Sequence, residues 1–189
     1  MNHLNPDPSR PPLELTESSV VRRFVEHWGG MSRLWGINAT MGELFALLYL
    51  TGEDWSADDL REQLRISRGN VSMNLRELMA WGIVHKNHRQ GERREYYRAE
   101  TNVWTLFRRI IVERKRRELN PTLELLTQTV GQIKHDPTLA SFSPRATELH
   151  RFFCLIDLLA DRLLDLEPEE IEDLLRLLGA DVAPQDSST

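Results

Sequence analysis

Two groups of polar side chains in the middle of the chain have the chemistry needed to bind a polyanion. The first group lies on a segment that begins at Ser67 and contains no acid up to Arg76. Its members are Ser67, Arg68, Asn70, Ser72, Met73, Asn74 and Arg76. Asparagine can pair with the N6 and N7 edge of adenine, and small side chains allow close approach to base pairs. This segment predicts contacts to base edges, and Ser67 at its start predicts a phosphate contact.

The second group is a run of cations interrupted by a turn. The cations are Lys86, Arg89, Arg93, Arg94 and Arg98, and Gln90-Gly91-Glu92 forms the turn. An arginine at the tip of a hairpin can enter a narrow minor groove, where the potential is most negative. We predict this role for Arg93 or Arg94, with Glu92 orienting one of them. The other cations are predicted to contact phosphates.

The charge of the chain is unevenly distributed around these groups. The net charge is −5, yet residues 61–117 hold 15 basic and 6 acidic residues, a net +9. Both flanking segments are acidic. A basic block between acidic flanks indicates a local site for a polyanion. The alternative from charge alone is an ordinary solvated surface.

Four helices are predicted ahead of the cationic hairpin. The first spans about 16–28 and is predicted to end at Gly29-Gly30, and the second spans about 39–50, with Thr40 and Glu43 as a capping box. Ser56 is predicted to cap the third helix, and Ser67 caps the fourth, which ends near Gly82. The fourth helix packs inward through Val71, Leu75 and Leu78.

Alternating residues follow the fourth helix. Segments 83–89 and 93–99 are predicted to be the two strands of a hairpin. With Trp55 as a very short strand, the order is helix, strand, helix, helix, hairpin, which is that of a winged helix. The short turn before the fourth helix sets it at the angle at which such a helix enters the major groove.

The C-terminal part is predicted to be helical. A helix capped by Thr101 runs to about 117, the chain restarts or kinks at Asn120-Pro121, and further helices begin at Ser143-Pro144 and Pro168. One helix carries a heptad seam of Leu149, Phe152, Ile156, Leu159, Leu163 and Leu166. We interpret this seam as a dimer interface; an intrachain core helix is the alternative.

These elements predict a mainly α fold, namely a winged helix-turn-helix with a small β-wing plus an N- and C-terminal helical dimerisation region. The predicted organisation is a disordered tail (1–12), an N-terminal helix and connection (13–37), the winged helix-turn-helix (38–100), a helical dimerisation and regulatory region (101–179) and a disordered tail (180–189). The length of 189 residues favours one domain, or one domain with an added helical segment.

Three segments resemble the GbsR branch of the MarR-type transcription regulators: 34–43 (LWGINATMGE), 66–78 (ISRGNVSMNLREL) and 91–97 (GERREYY). The resemblance covers roughly residues 20–118. It implies a homodimer that binds an inverted-repeat operator in double-stranded DNA and regulates transcription, as a repressor. It also implies two winged lobes and a helical dimerisation region made from both chain ends. MarR-type wings usually carry Asp-x-Arg, whereas Glu92 precedes Arg93-Arg94 here.

The resemblance also raises the question of an effector, because GbsR members are associated with choline and osmoprotectant control. A quaternary ammonium ion binds within a cage of aromatic rings. Trp28, Trp35, Trp104 and Phe107 are the candidates for such a cage. The interpretation we favour is that they are core or dimer-core aromatics. A small cationic or aromatic effector is the alternative.

Other sites receive little support. His85 and His88 are three residues apart on a strand and would point to opposite faces, so no metal or other cofactor is predicted. The single cysteine, Cys154, is predicted to be a small packed residue rather than a redox sensor.

No catalytic motif is found, and the chain is not predicted to be an enzyme. A leader peptide or membrane span is not predicted either, and a reducing cytoplasm is the expected compartment. The remaining alternative function is a winged helix that binds proteins rather than DNA.

Overall fold

The computed structural model of the chain describes residues 19–88 and 93–179. They fall into two compact units, divided between Arg109 and Ile110. The two tails predicted to be disordered lie outside the described residues, as do Arg89 and Glu92 of the predicted hairpin. In the described ranges, no helix is long and apolar enough to span a bilayer.

The first unit contains four helices and a small sheet. In chain order they are α1 (Ser19–Leu34), α2 (Ala39–Thr51), β1 (Trp55–Ser56), α3 (Ala57–Leu64), α4 (Arg68–Ala80), β2 (Val84–His88) and β3 (Glu95–Ala99). The strands are antiparallel in the order β1-β3-β2. This order confirms the predicted winged helix.

The core of this unit is built around α2. Seven of its residues are buried: Met41, Gly42, Leu44, Phe45, Ala46, Leu47 and Leu48. The inward face of α4 is also buried, through Val71, Leu75 and Leu78, as predicted. Full burial of such side chains contributes about 1.5–3 kcal/mol each. This packing fixes α4 on the core, so its opposite face is held outward.

The prediction that Gly29-Gly30 ends the first helix is wrong, because α1 continues to Leu34. Gly29 serves packing instead. A Cβ atom on Gly29 would lie 2.6 Å from Cγ of Glu43 on α2. One on Gly42 would lie 2.7 Å from Cβ of Ser32. The two helices therefore approach closely at positions where a side chain is missing.

Helix starts in this unit follow side-chain capping. Asn38, not Thr40, caps α2, because the Asn38 side chain accepts a hydrogen bond from the Thr40 amide at 2.9 Å; this corrects the predicted capping box. Ser56 caps α3 in a capping box with Asp59. Ser67 caps α4, with its Oγ 3.2 Å from the Asn70 amide nitrogen. The last two caps confirm the prediction.

The remaining elements are helical. They are α5 (Val103–Arg114), a π-helical turn (Lys115–Leu119), α6 (Asn120–His135), a 3-10 turn (Pro137–Phe142), α7 (Ser143–Asp165) and α8 (Pro168–Leu177). Helix α6 begins at Asn120 with Pro121 in its first turn, in agreement with the predicted restart, and the π turn connects it to α5. Asn102 rather than Thr101 caps α5, since its Oδ1 accepts from the Thr105 amide at 2.8 Å. Ser143 makes no side-chain cap and is the first residue of α7.

The second unit buries very little. Among its described residues Glu113 is the only one that is buried, and no apolar side chain is. On α7 one stripe is half-buried: Ala146, His150, Phe153, Asp157, Ala160 and Leu164. The predicted heptad seam forms a neighbouring stripe, on which Leu149, Phe152, Ile156 and Leu159 are 38–55% exposed. Leu163 and Leu166 are half-buried, so four of the six seam residues are exposed on the single chain.

Ion pairs hold this unit together. Lys115 contacts Asp157, at 2.8 Å, and Asp161. Burial lowers the pKa of Lys115, but hydrogen bonds to the two carboxylates outweigh burial and raise it overall. Hydrogen bonds from Arg116 and Arg117 lower the pKa of Glu113 to about 2. Because this pKa is depressed in the folded state, the carboxylate's contribution to stability is lost as the pH falls from about 4.5 towards 2.

Candidate nucleic-acid interface

The outward face of α4 presents the predicted base-reading group. Ser67, Arg68, Ser72, Met73 and Arg76 are exposed, and Asn70 is half-buried. An acid lies beside this face: the carboxylate of Asp58 on α3 is 3.7 Å from the Arg68 guanidinium. That guanidinium remains 82% exposed and can exchange this weak surface pair for a phosphate.

Asn74 is a correction to the predicted group. It is only 3% exposed, so it cannot reach a base edge. Its Nδ2 donates to the backbone oxygen and to Oδ1 of Asn70, both at 2.8 Å. Helical spacing of four residues places the two asparagines on one edge of α4, with Asn74 further inward. Asn74 therefore positions the Asn70 side chain.

The hairpin presents the second predicted group. Strands β2 and β3 pair in register, with Lys86 opposite Tyr97 and His88 opposite Glu95. Arg93 and Arg94 are exposed just before β3. Lys86 is exposed but forms an ion pair with Glu95, and the hydrogen bond from Lys86 lowers the pKa of the Glu95 carboxyl. Arg93 and Arg94 are thus the two described arginines closest to the hairpin tip.

Arg98 has a different environment from the other hairpin cations. Its Nε donates to Oδ1 of Asp54 at 2.8 Å, and the Asn87 amide donates to the same oxygen at 3.0 Å. Asp54 lies in the turn before β1, and its side chain is 16% exposed. This carboxylate joins both hairpin strands to the body of the unit. We therefore do not count Arg98 among the proposed phosphate contacts.

A second set of contacts, centred on Arg109, joins the base of the hairpin to the rest of the unit. Arg109 of α5 donates to the backbone oxygen of Gly82 and lies 3.2 Å from His85 and 3.6 Å from Glu100. Gly82 has a φ of +70° and directly follows the C-terminal end of α4. Hydrogen bonds from the Asn102 and Thr101 amides lower the pKa of Glu100, so its carboxylate stays charged. Arg109 thus joins the end of α4 to both strands.

Comparison with known proteins agrees with this geometry, although no family model matches the chain. A solved structure of a transcriptional regulator superimposes with a TM-score of 0.59 and 24% sequence identity, covering 76% of this chain and 95% of that one. This chain has a winged helix-turn-helix fold.

Two curated relatives resemble part of this winged helix protein. It is 23% identical over 101 residues to the HTH-type transcriptional repressor GbsR of Bacillus subtilis, which is 53% of this chain and 56% of the relative. It is 31% identical over 85 residues to the HTH-type transcriptional regulator MmpR5 of Mycobacterium tuberculosis, which is 44% of this chain and 52% of the relative. The winged helix protein thus spans about half the length of the curated relatives it matches.

The aromatic residues considered as a ligand cage lie in different surroundings. Trp28 packs against the core and stacks on Phe24, with ring centroids 5.5 Å apart. Trp104 and Phe107 meet edge to face at 6.1 Å. Trp35 is 56% exposed. These contacts fit the favoured interpretation for Trp28, and a cage remains a prediction.

The remaining candidates are the pair His85 and His88, considered for a metal site, and the single cysteine, Cys154. No cluster of three or more His, Cys, Asp or Glu side chains suited to a metal occurs within 19–88 and 93–179. Cys154 is exposed, with its sulfur 3.6 Å from Nε2 of His150, which corrects the prediction that it is packed. It lies on α7 beside the half-buried stripe rather than within it.

Two positioning residues, Asp54 and Arg109, were not predicted. Their partners are 44 and 27 residues away in the chain, and no local pattern signals such a pairing. The only sequence signal for Arg109 is its place in the basic block, where it looks like a further phosphate contact.

We expect Arg109→Ala to loosen the hairpin of the winged helix protein. The variant removes the Arg109 hydrogen bond to the Gly82 carbonyl and one of the partners of the Glu100 carboxylate, and the free energy of unfolding should fall by about 1–2 kcal/mol, since Arg109 is partly exposed. Hydrogen exchange should become faster at the amides of β2 and β3. Arg22→Ala removes an exposed arginine of α1 and is the control. It should change neither the free energy of unfolding nor the exchange rates of β2 and β3. Equal exchange rates in both variants would contradict the role of Arg109 in holding the hairpin.

Proposed function

We propose that the chain binds double-stranded operator DNA as a homodimer and regulates transcription, acting as a repressor. In this proposal α4 enters the major groove of each half-site, and the hairpin follows the flanking phosphates and minor groove. The half-sites lie about one helical turn apart, roughly 34–36 Å. Both curated relatives are HTH-type transcription regulators, which supports the proposal.

The observation that carries this proposal is the outward face of α4. From Ser67 to Arg76 it contains no acid, and Ser67, Arg68, Ser72, Met73 and Arg76 are exposed. The buried apolar face of the same helix fixes the backbone of α4 on the unit, so the helix itself needs no ordering on binding. Exposed Arg93 and Arg94 add cations on the neighbouring hairpin.

The second unit supports the dimer. It has no buried apolar side chain among its described residues, while four of the six seam residues are exposed. A helical unit of this kind is stabilised when a partner covers its apolar stripe. Two copies also match the two half-sites of an inverted repeat.

Two alanine variants should distinguish contacts to the DNA backbone and minor groove from contacts that recognise base edges. We expect Arg94→Ala to weaken binding to all duplexes by about 5- to 100-fold and to reduce the salt slope by about 1, because a phosphate or groove contact is lost. Asn70→Ala should mainly reduce the preference for operator over unrelated duplex. Fluorescence anisotropy at several salt concentrations, with duplexes selected from the source genome, measures both.

The control for these variants is Arg151→Ala, which removes an exposed arginine of α7 outside the seam and should leave the salt slope unchanged. If the native chain binds no duplex at low salt, the DNA-binding proposal fails and a winged helix that binds proteins takes its place. If both variants lose affinity equally for every duplex, α4 does not read the sequence.

A small effector is the finer part of the proposal. Trp28, Trp35, Trp104 and Phe107 are the residues proposed to bind a quaternary ammonium or aromatic ligand. A thermal-shift screen with choline and betaine, on the native chain and on Trp104→Ala, tests the cage. A shift confined to the native chain is expected, and no shift with either compound contradicts the cage without affecting the DNA proposal.

A further inference from the structure

An apolar groove lies between α6, the 3-10 turn and the beginning of α7. It has a volume of about 470 Å³ and is lined by Thr129, Gln132, Ile133, Leu139, Phe142, Arg145, Ala146 and Leu149. Phe142 and Leu149 are 60% and 47% exposed. The groove continues into the seam, because Phe142, Leu149 and Ile156 are seven residues apart and share one row of the helical surface. Whatever covers the seam therefore also meets this groove.

The other end of the seam leads into α8, which has its own uncovered apolar side. Leu174, Leu175, Leu177 and Leu178 are 37–85% exposed. The first turn of α8 is acidic, with Glu169 and Glu170. The groove instead has a cation, Arg145, and α6 ends beside it with Lys134 and His135. The two ends of the seam thus differ in charge.

The α8 of the same chain cannot fill this groove. Leu149 and Leu166 are 17 residues apart along the seam, or about 26 Å at 1.5 Å per residue. Helix α8 has 10 residues and is about 15 Å long. An α8 that begins at the far end of α7 is therefore too short to reach back to the groove. Only the α8 of another copy can occupy it.

We propose that a second copy of this chain lies antiparallel along the seam, with its α8 in the groove between α6 and α7. This inference rests on the homodimer of the proposed function and adds its orientation. An antiparallel pairing places Leu149 of one copy opposite Leu166 of the other, so Arg145 faces the acidic beginning of the partner's α8. A parallel pairing would place Arg145 against Arg145 and acid against acid, which is unfavourable. The charge pattern selects the antiparallel arrangement.

Disulfide trapping tests the orientation directly. Cys154→Ser supplies the background, and Leu149→Cys and Leu166→Cys are made singly, one of them with an affinity tag. We expect the oxidised mixture of the two variants to yield a cross-linked dimer that contains both, whereas neither variant cross-links to itself. Self-linked Leu149→Cys would show a parallel seam and overturn the proposal.

A second cross-link tests the occupant of the groove. Gln132→Cys and Leu174→Cys, mixed in the same background, should form a disulfide between chains. When both cysteines are placed in one chain, a monomeric product with an internal disulfide would show that α8 fills its own groove, which also overturns the proposal. Sedimentation of each sample reports whether a dimer is present, so loss of the dimer is distinguished from a wrong orientation, and neither readout depends on DNA.

Charge reversal gives an equilibrium measurement. We expect Arg145→Glu to raise the dimer dissociation constant by about 3- to 30-fold, because the contact occurs twice in a twofold dimer and each exposed pair is worth up to about 1 kcal/mol. Adding Glu169→Arg to the same chain should restore part of the affinity. Arg151→Glu, the same change on another face of α7, is the control; an equal effect there would contradict the pairing.

Discussion

Ile156→Glu is expected to convert the proposed dimer into monomers and to lower the affinity for an operator by at least about 100-fold. Ile156 lies near the middle of the seam and is 38% exposed in the single chain. In a twofold dimer both copies place the new carboxylate in the covered interface, where burial of each unpaired charge costs several kcal/mol. A monomer contacts one half-site only, so affinity falls with the loss of the second lobe. Sedimentation velocity and anisotropy on the same samples measure the two effects.

Leu158→Glu is the matched control for this variant. Leu158 lies on the same helix and is 52% exposed, but it is not part of the seam. It should remain dimeric and keep its operator affinity. If both variants are monomers, the interface is not the seam; if Ile156→Glu stays dimeric with full affinity, the seam does not hold the dimer.

Gly42→Ala is expected to destabilise the first unit by about 1–3 kcal/mol, the usual cost of overpacking a tight core. The new methyl group would lie 2.7 Å from Cβ of Ser32, close to the Ser32 hydroxyl, and 3.2 Å from the Trp28 carbonyl oxygen. The carbonyl belongs to the backbone of α1, so the two helices must separate to admit the methyl. Chemical denaturation followed by tryptophan fluorescence measures the loss.

Gly69→Ala provides the comparison, because a Cβ atom at Gly69 meets nothing within 4 Å. There alanine replaces glycine in an exposed helix and should raise the free energy of unfolding by up to about 1 kcal/mol. The same substitution thus has opposite signs at two positions of one unit. Equal effects at both positions would mean that the close approach of α1 and α2 is not what Gly42 serves.

Local signals predicted the elements that present the interface. Ser56 and Ser67 each form the expected cap, and the apolar residues of α4 face the core at helical spacing. The hairpin follows from alternation and turn residues, which act over a few positions. These features depend on residues that are close in the sequence, so a short stretch of sequence is enough to predict them.

The wrong predictions have two causes. Either the contact that decides the local structure is distant in the chain, or two neighbouring residues compete for the same role. Gly29 looks like a helix end, but Glu43 of another helix occupies the space beside it. Asn38 and Thr40 are both good caps, and the structure uses the first. Asn74 looks exposed at the edge of α4, yet its amide turns inward to Asn70. Asp54 and Arg109 were missed because their partners are dozens of residues away.

The exposed thiol of Cys154 makes the chain suitable for labelling without any substitution. The sequence contains one cysteine, so a maleimide dye or a nitroxide attaches at a single known position on α7. In the proposed dimer, two nitroxides would give one interspin distance, measurable by pulsed electron paramagnetic resonance. Titrating such a labelled sample with duplex would then report how that distance responds to binding.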